Sequence, residues 1–139
     1  MLRATVEDIM TETVVKLHDK ATIGQAAHVL LRFRINGVVI VRKGRKNDVV
    51  GIVTTTDLLR LLNYVMSRRG HRMNQLEKVA ALPVGEVCSK AILGVQKDTK
   101  LERLIALMHR KNVHTIPVFD GDKVIGVVGR HDILNAAFG

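Results

Sequence analysis

The stretch Gly51-Ile52-Val53-Thr54-Thr55-Thr56-Asp57 decides how this chain folds. A β-branched apolar run leads into a hydroxyl residue, and a carboxylate follows three positions on. That is the pattern of a strand running straight into a capped helix N-terminus. A second run, Gly126-Val127-Val128, is followed by Asp132 at the same spacing. Working outward from the two runs, a shift of 78 residues lays one half of the chain on the other. Val6-Glu7-Asp8-Ile9-Met10-Thr11 falls on Val84-Gly85-Glu86-Val87-Cys88-Ser89, and Ile35 to Val41 falls on Val113 to Phe119. Dropping three residues from the first loop then brings Val49–Val53 onto Val124–Val128 and Asp57 onto Asp132. The chain is an internal repeat, and each copy alone is too small to hold a comfortable core.

Both copies read as β-α-β-β-α, an α/β (α+β) unit. In the first, Val14 to Leu17 is a short strand and Thr22 to Arg34 a helix, with Thr22 of N-cap type. Gly37 to Val41 is a buried strand, Arg42 to Asp48 a charged hairpin loop, Val49 to Val53 the returning strand and Thr55 to Met66 a second helix. The second copy predicts strand 92–95, helix 99–111, strand 113–119, a turn at Asp120-Gly121-Asp122, strand 123–128 and helix 130–137. The organisation expected is copy 1 over residues 1–62, a basic, partly helical linker over 63–82 and copy 2 over 83–139.

Of the 139 residues, 22 are Lys or Arg and 13 Asp or Glu, a formal charge of +9. Hydrophobic residues make up 47% and aromatics 3%, so aliphatic side chains fill the core and stacking platforms for single-stranded nucleic acid are disfavoured. One cysteine, Cys88, allows neither an internal disulfide nor a cysteine-built zinc site. No apolar run reaches the ~18 residues of a membrane span, and the first residues lack a signal-peptide pattern. A cytoplasmic location with no membrane partner is the expectation. The histidines are scattered, and neither a nucleophile–base set nor a Walker-type loop is present. No catalytic residues, metal site or catalytic cofactor are therefore expected, and the chain reads as a non-enzyme.

The repeat resembles a tandem pair of CBS domains, the Bateman module, over roughly residues 5–62 and 83–138. The marks are Gly51-Ile52-Val53-Thr54-Thr55-Thr56-Asp57, Ile9-Met10-Thr11 and Ile116-Pro117-Val118. The resemblance implies two β-α-β-β-α repeats packed about a pseudo-twofold axis, with clefts between them that take adenosine-containing ligands. It implies a regulatory role for AMP, ADP, ATP or S-adenosylmethionine, a homodimer, and signalling through an unidentified regulated protein or the dimer itself.

Thr54 and Asp57 share the first helical turn, where the carboxylate can accept from two vicinal ribose hydroxyls and the helix N-terminus favours phosphate. The same spacing also makes a capping box that needs no ligand. On the resemblance, this cleft uses Ile52, Thr54 and Asp57 with Asn36 from the first copy. From the second come Ile92 and Leu93 around adenine, His114, Thr115 and Pro117 at a strand entry, and Arg130 and His131 near phosphate. Pro117 lacks an amide, which implies an edge strand or a ligand-facing position. A second, weaker cleft would use Val14, Val15, Gly37, Val39, Val127 and Asp132, since Gly129 stands there without a hydroxyl. Two other readings stand beside this one. One is a ligand-free structural or assembly dimer. The other is a nucleic-acid binder working through the Arg42–Lys46 loop and the Arg68–Arg72 linker, whose binding would be salt-dependent.

Overall fold

The computed structural model describes residues 3–67, 73–89 and 94–139. In chain order the elements are α1 (Val6–Ile9), β1 (Lys16–His18), α2 (Ile23–Phe33), β2 (Gly37–Arg42), β3 (Arg45–Thr54) and α3 (Thr55–Ser67). They continue with α4 (Met73–Ala80), a 3-10 turn (Val84–Glu86), β4 (Val95–Gln96), α5 (Leu101–Lys111), β5 (Thr115–Asp120), β6 (Lys123–Gly129) and α6 (Arg130–Phe138). The α+β repeat is present twice. Each copy has a three-stranded sheet whose first two strands are parallel and whose last two form an antiparallel hairpin, β1-β2-β3 and β4-β5-β6.

Local chemistry sets the elements. Thr22 Oγ1 accepts from the Gln25 amide at 3.0 Å and Gln25 Oε1 from the Thr22 amide at 2.8 Å, a capping box that starts α2. Ile23, Ala26 and Leu30 then fall on one buried stripe. Arg34 and Asn112 end α2 and α5 in the left-handed conformation, at φ 52° and 51°. In the second copy α5 begins at Leu101, two residues later than expected, because the Thr99 carbonyl is taken by the Val6 amide at 2.8 Å. Strand β5 begins at Thr115 rather than 113, since the Val113 amide still closes the helix end on Met108 O.

The expected loop from Arg42 to Asp48 is mostly strand. Arg42 pairs with Arg45 across a two-residue turn, with Gly44 at φ +81°. Polar side chains do not prevent a ladder whose bonds come from the backbone. A second correction concerns Pro117. It lies in the central strand β5, not at an edge. Its counterpart Val39 donates its amide to Val15 O at 3.1 Å, a bond that proline cannot make. The Arg68–Arg72 linker and Ile92 and Leu93 lie outside the described residues.

The chain packs as two units that do not coincide with the sequence copies. One is Met1–Val14 with Leu93–Gly139, the other Val15–Ile92. The segment ahead of each copy belongs to the unit built on the other. Val6 joins Leu101, Leu104, Ile116, Val118 and Val128 in one core. Val84 and Cys88 join Ala26, Leu30, Val38, Ile40 and Val53 in the other. The backbone bonds repeat with the same shift of 78. Val6 N donates to Thr99 O and Leu101 N to Ala4 O, while Val84 N donates to Ala21 O and Ile23 N to Leu82 O. Each leading segment then crosses the hairpin's return strand, Thr11 on Val127 and Ser89 on Ile52. Glycine is required where it crosses. A Cβ on Gly51 would lie 2.5 Å from Ser89 O and 2.6 Å from Cys88 Sγ, and one on Gly126 2.5 Å from Met10 Sδ.

Candidate functional site

Strand β3 ends at Thr54 and α3 begins at once with Thr55, which fixes Asp57 in the first turn. Oδ2 of Asp57 accepts from the Thr54 amide at 2.8 Å and from Thr54 Oγ1 at 2.9 Å, and Thr54 Oγ1 accepts from the Asp57 amide at 3.2 Å. The capping box anticipated from spacing is therefore formed. It uses one carboxylate oxygen. Beside the other, Oδ1, stands Arg60 Nη1 at 3.8 Å, with the Arg60 side chain 78% exposed and that of Asp57 25%. An exposed pair at that distance contributes little. Among the described residues Oδ1 accepts no hydrogen bond, which leaves it lone pairs for hydroxyl donors beside Arg60. Asp57 and Arg60 also line an open pocket of about 360 Å³ with Val53, Leu58, Leu61 and Val87.

Within the same unit, the exposed Asn36 lies at this junction, since its carbonyl accepts the Thr55 amide at 3.0 Å. Ile52 is buried and pairs with Val39, while Gly37 pairs with Thr54. Val15 is half-buried beside Val39, whose amide it accepts. Asn36, Gly37, Val39, Ile52, Thr54 and Asp57 therefore gather at one end of the β2–β3 hairpin. Ile92 and Leu93 lie outside the described residues.

The other unit repeats the junction with different chemistry. His114 is exposed and its carbonyl accepts the Arg130 amide at 3.2 Å, as Asn36 does for Thr55. Thr115 and Pro117 are buried, while Arg130 and His131 are exposed at the start of α6. Val14 and Val127 are half-buried. Asp132 Oδ2 accepts from the Gly129 amide at 2.7 Å, and Oδ1 accepts from Thr11 Oγ1 at 3.2 Å. Both oxygens of Asp132 are thus held by the protein, against one of Asp57.

Thr11 was recognised in the sequence only as part of a repeat mark, and Arg60 not at all. The signal for Thr11 was its place opposite Ser89 in the shifted copies, but its partner is 121 residues away and no spacing rule reaches that far. Among the described residues, no group of three or more His, Cys, Asp and Glu is placed to hold a metal ion. Among them too, no helix is long and apolar enough to cross a membrane.

Comparison with known proteins places the chain. The sequence matches the CBS domain family over residues 6–64 and 84–139. The fold matches the crystal structure of a CBS-domain protein from Agrobacterium tumefaciens, with a TM-score of 0.81 and 21% identity over 97% of this chain and 100% of that one. It matches the CBS domain pair of protein MJ0100, crystallised with 5'-methylthioadenosine and S-adenosyl-L-methionine, at TM-score 0.77 and 23% identity over 96% and 95% of the two chains. It also matches CBSX2, crystallised with AMP, at TM-score 0.73 and 27% identity over 96% and 95%. The chain spans 24%, 45% and 22% of the lengths of three curated relatives, a homoserine O-acetyltransferase of Methanococcus vannielii among them.

Proposed function

Because this chain belongs to the CBS-domain family and carries two copies in tandem, we propose that it is a regulatory module that binds an adenosine-containing nucleotide, AMP, ADP, ATP or S-adenosylmethionine, as an effector and not as a catalytic cofactor. The observation that carries the reading is the asymmetry between the two carboxylates. Asp57 is oriented through one oxygen and offers the other, the state in which a carboxylate can receive a ribose diol. Asp132 has both oxygens engaged, which supports weaker binding at the second position. The AMP complex of CBSX2 supports the nucleotide class. The exposed Arg130, His131 and His114 belong to the proposal as phosphate contacts, and single substitutions test each of them.

Isothermal titration with AMP, ATP and S-adenosylmethionine tests the reading. Binding below millimolar that falls at least about tenfold in Asp57→Asn supports it. A fold-preserving Asp57→Asn that binds as the parent does rejects it.

The proposal includes a homodimer. Leu59, Leu62 and Met66 recur at i, i+3 and i+7 on α3, and Leu134 and Phe138 at i and i+4 on α6, all exposed. Such stripes are surfaces for a second copy. Effector binding then shifts the dimer, or a regulated partner, only by its differential affinity for two states. A ligand-free assembly module is the second reading, favoured by the same apolar stripes. It predicts a stable dimer with no thermal shift on adding nucleotide.

A further inference from the structure

We propose that the tip of the β2–β3 hairpin binds the phosphate backbone of a nucleic-acid duplex, independently of the nucleotide site. The charge of this protein is not spread over it. The unit Val15–Ile92 holds 14 of the 22 Lys and Arg and 5 of the 13 Asp and Glu, and so carries the whole +9. The other unit holds eight of each and is neutral.

Within the basic unit the hairpin tip concentrates the cations. Arg42, Lys43, Arg45 and Lys46 surround Gly44, and all are exposed. Lys16 Nζ donates to the Lys46 carbonyl at 3.4 Å, bringing a fifth cation to the same end. Arg42 is held by Asp48 at 2.8 Å. Among the described residues no carboxylate lies within ion-pair distance of Lys43, Arg45 or Lys46.

The fold does not ask for these cations. The second copy closes its hairpin with Asp120 opposite Lys123, an attractive cross-strand pair, around Gly121 at φ +63°. The first copy closes its own with Arg42 opposite Arg45. Like charges directly opposite on a ladder are destabilising; Asp48 offsets the charge of Arg42, and Arg45 is left to an anion from outside. Strand β3 has three residues more than β6, ten against seven, and the register shift between Val41 and Arg42 leaves Lys46-Asn47-Asp48 as an unpaired bulge beside the basic tip. A two-stranded ribbon is of a size that the major groove of B-form DNA admits. The tip, Arg42 to Asp48, carries no aromatic for stacking on single strands and no apolar side chain for insertion into a bilayer. Uniform phosphate contacts by lysine and arginine position a protein without reading sequence.

Fluorescence anisotropy with labelled DNA and RNA duplexes of about 20 base pairs tests this and separates the two sources of phosphodiester. Three or four phosphate contacts predict a loss of affinity of about forty- to about 150-fold between 50 and 200 mM salt. The variant Lys43→Gln, Arg45→Gln, Lys46→Gln is expected to lose most of the binding and to lower the salt slope by about 3. It removes a like-charge pair, so its melting temperature is expected to hold. The control Lys100→Gln, Arg110→Gln, Lys111→Gln removes as much charge from the neutral unit and is expected to leave binding unchanged, as is Asp57→Ala. Equal loss in the control reduces the effect to net charge and overturns the proposal. So does retained binding in the hairpin variant, or binding to phosphatidylserine vesicles with none to either duplex.

Discussion

The hydroxyl of Thr11 donates to Oδ1 of Asp132 at 3.2 Å, across 121 residues of chain. It holds the carboxylate oxygen whose counterpart in Asp57 faces only the exposed Arg60 among the described residues. Thr11→Val is therefore expected to lower stability by about 0.5–1.5 kcal/mol, the worth of one hydrogen bond. Nucleotide affinity at Asp57 is expected to stay unchanged. Urea unfolding and calorimetric titration of the same variant read the two effects. A large loss of affinity would assign Thr11 to the ligand rather than to Asp132.

Thr54 both caps α3 and orients Asp57. Thr54→Ala is expected to cost about 1 kcal/mol of stability, with Thr54→Ser restoring it. If the orientation of the carboxylate matters to binding, affinity follows the same order, alanine weakest and serine near the parent. Affinity that ignores the substitution would leave Thr54 as a cap alone.

Gly51→Ala places a methyl against the Ser89 carbonyl, which belongs to the backbone and cannot step aside. The expected loss is about 1–3 kcal/mol. At Gly126 the nearest atom is the thioether sulfur of Met10, which can move, though Thr11 O stands at 2.9 Å. Gly126→Ala is expected to be the milder of the two, and the order of denaturation midpoints decides.

Val6 precedes the first sheet in sequence but is buried in the core of the second copy. Val6→Ala is expected to cost about 2 kcal/mol. Native-state hydrogen exchange is expected to show the loss in α5 and β6 while β2 and β3 keep their protection. Loss confined to β2 and β3 would contradict the exchange of leading segments.

The Asp19 carboxylate accepts the Lys43 amide at 3.0 Å. That bond, with Lys20 and Arg42 nearby, holds its pKa below the ordinary carboxylate value. A carboxyl whose folded pKa is depressed stabilises fully above its unfolded pKa of about 4. The contribution is then lost as pH falls through the lower folded value. Asp19→Asn is expected to narrow the gap between stability at pH 7 and below pH 4, and the effect is small because solvent still reaches and screens the half-buried group. Parallel curves for parent and variant would remove Asp19 from the acid response.

The elements that local pattern governs were legible in the sequence. Thr22, of N-cap type, marked the start of α2, Asp120-Gly121-Asp122 marked a turn, and the paired glycines and aspartates marked the repeat. The hairpin tip was not legible, because Arg-Lys-Gly-Arg-Lys reads as loop chemistry while the backbone still closes the pair Arg42–Arg45 past the unpaired 46–48 bulge. Of the two positions read for Pro117, edge or ligand-facing, the edge fails for a related reason. A central strand tolerates a missing amide where one neighbouring bond is forgone. At the candidate site, Thr54 and Asp57 could be named and their two roles set side by side. The use of one oxygen by the cap, and the capture of Asp132 by Thr11, are contacts that only the folded chain reveals.

The crossing of the leading segments bears on what the smallest foldable piece is. A chain ending after the first helix pair would keep its sheet and lose Val84 and Cys88, which complete its core. It would carry Val6 with nothing to fill. Made as separate molecules, such half-chains could close only by lending their leads to one another. Joining two of them end to end makes that loan intramolecular and independent of concentration.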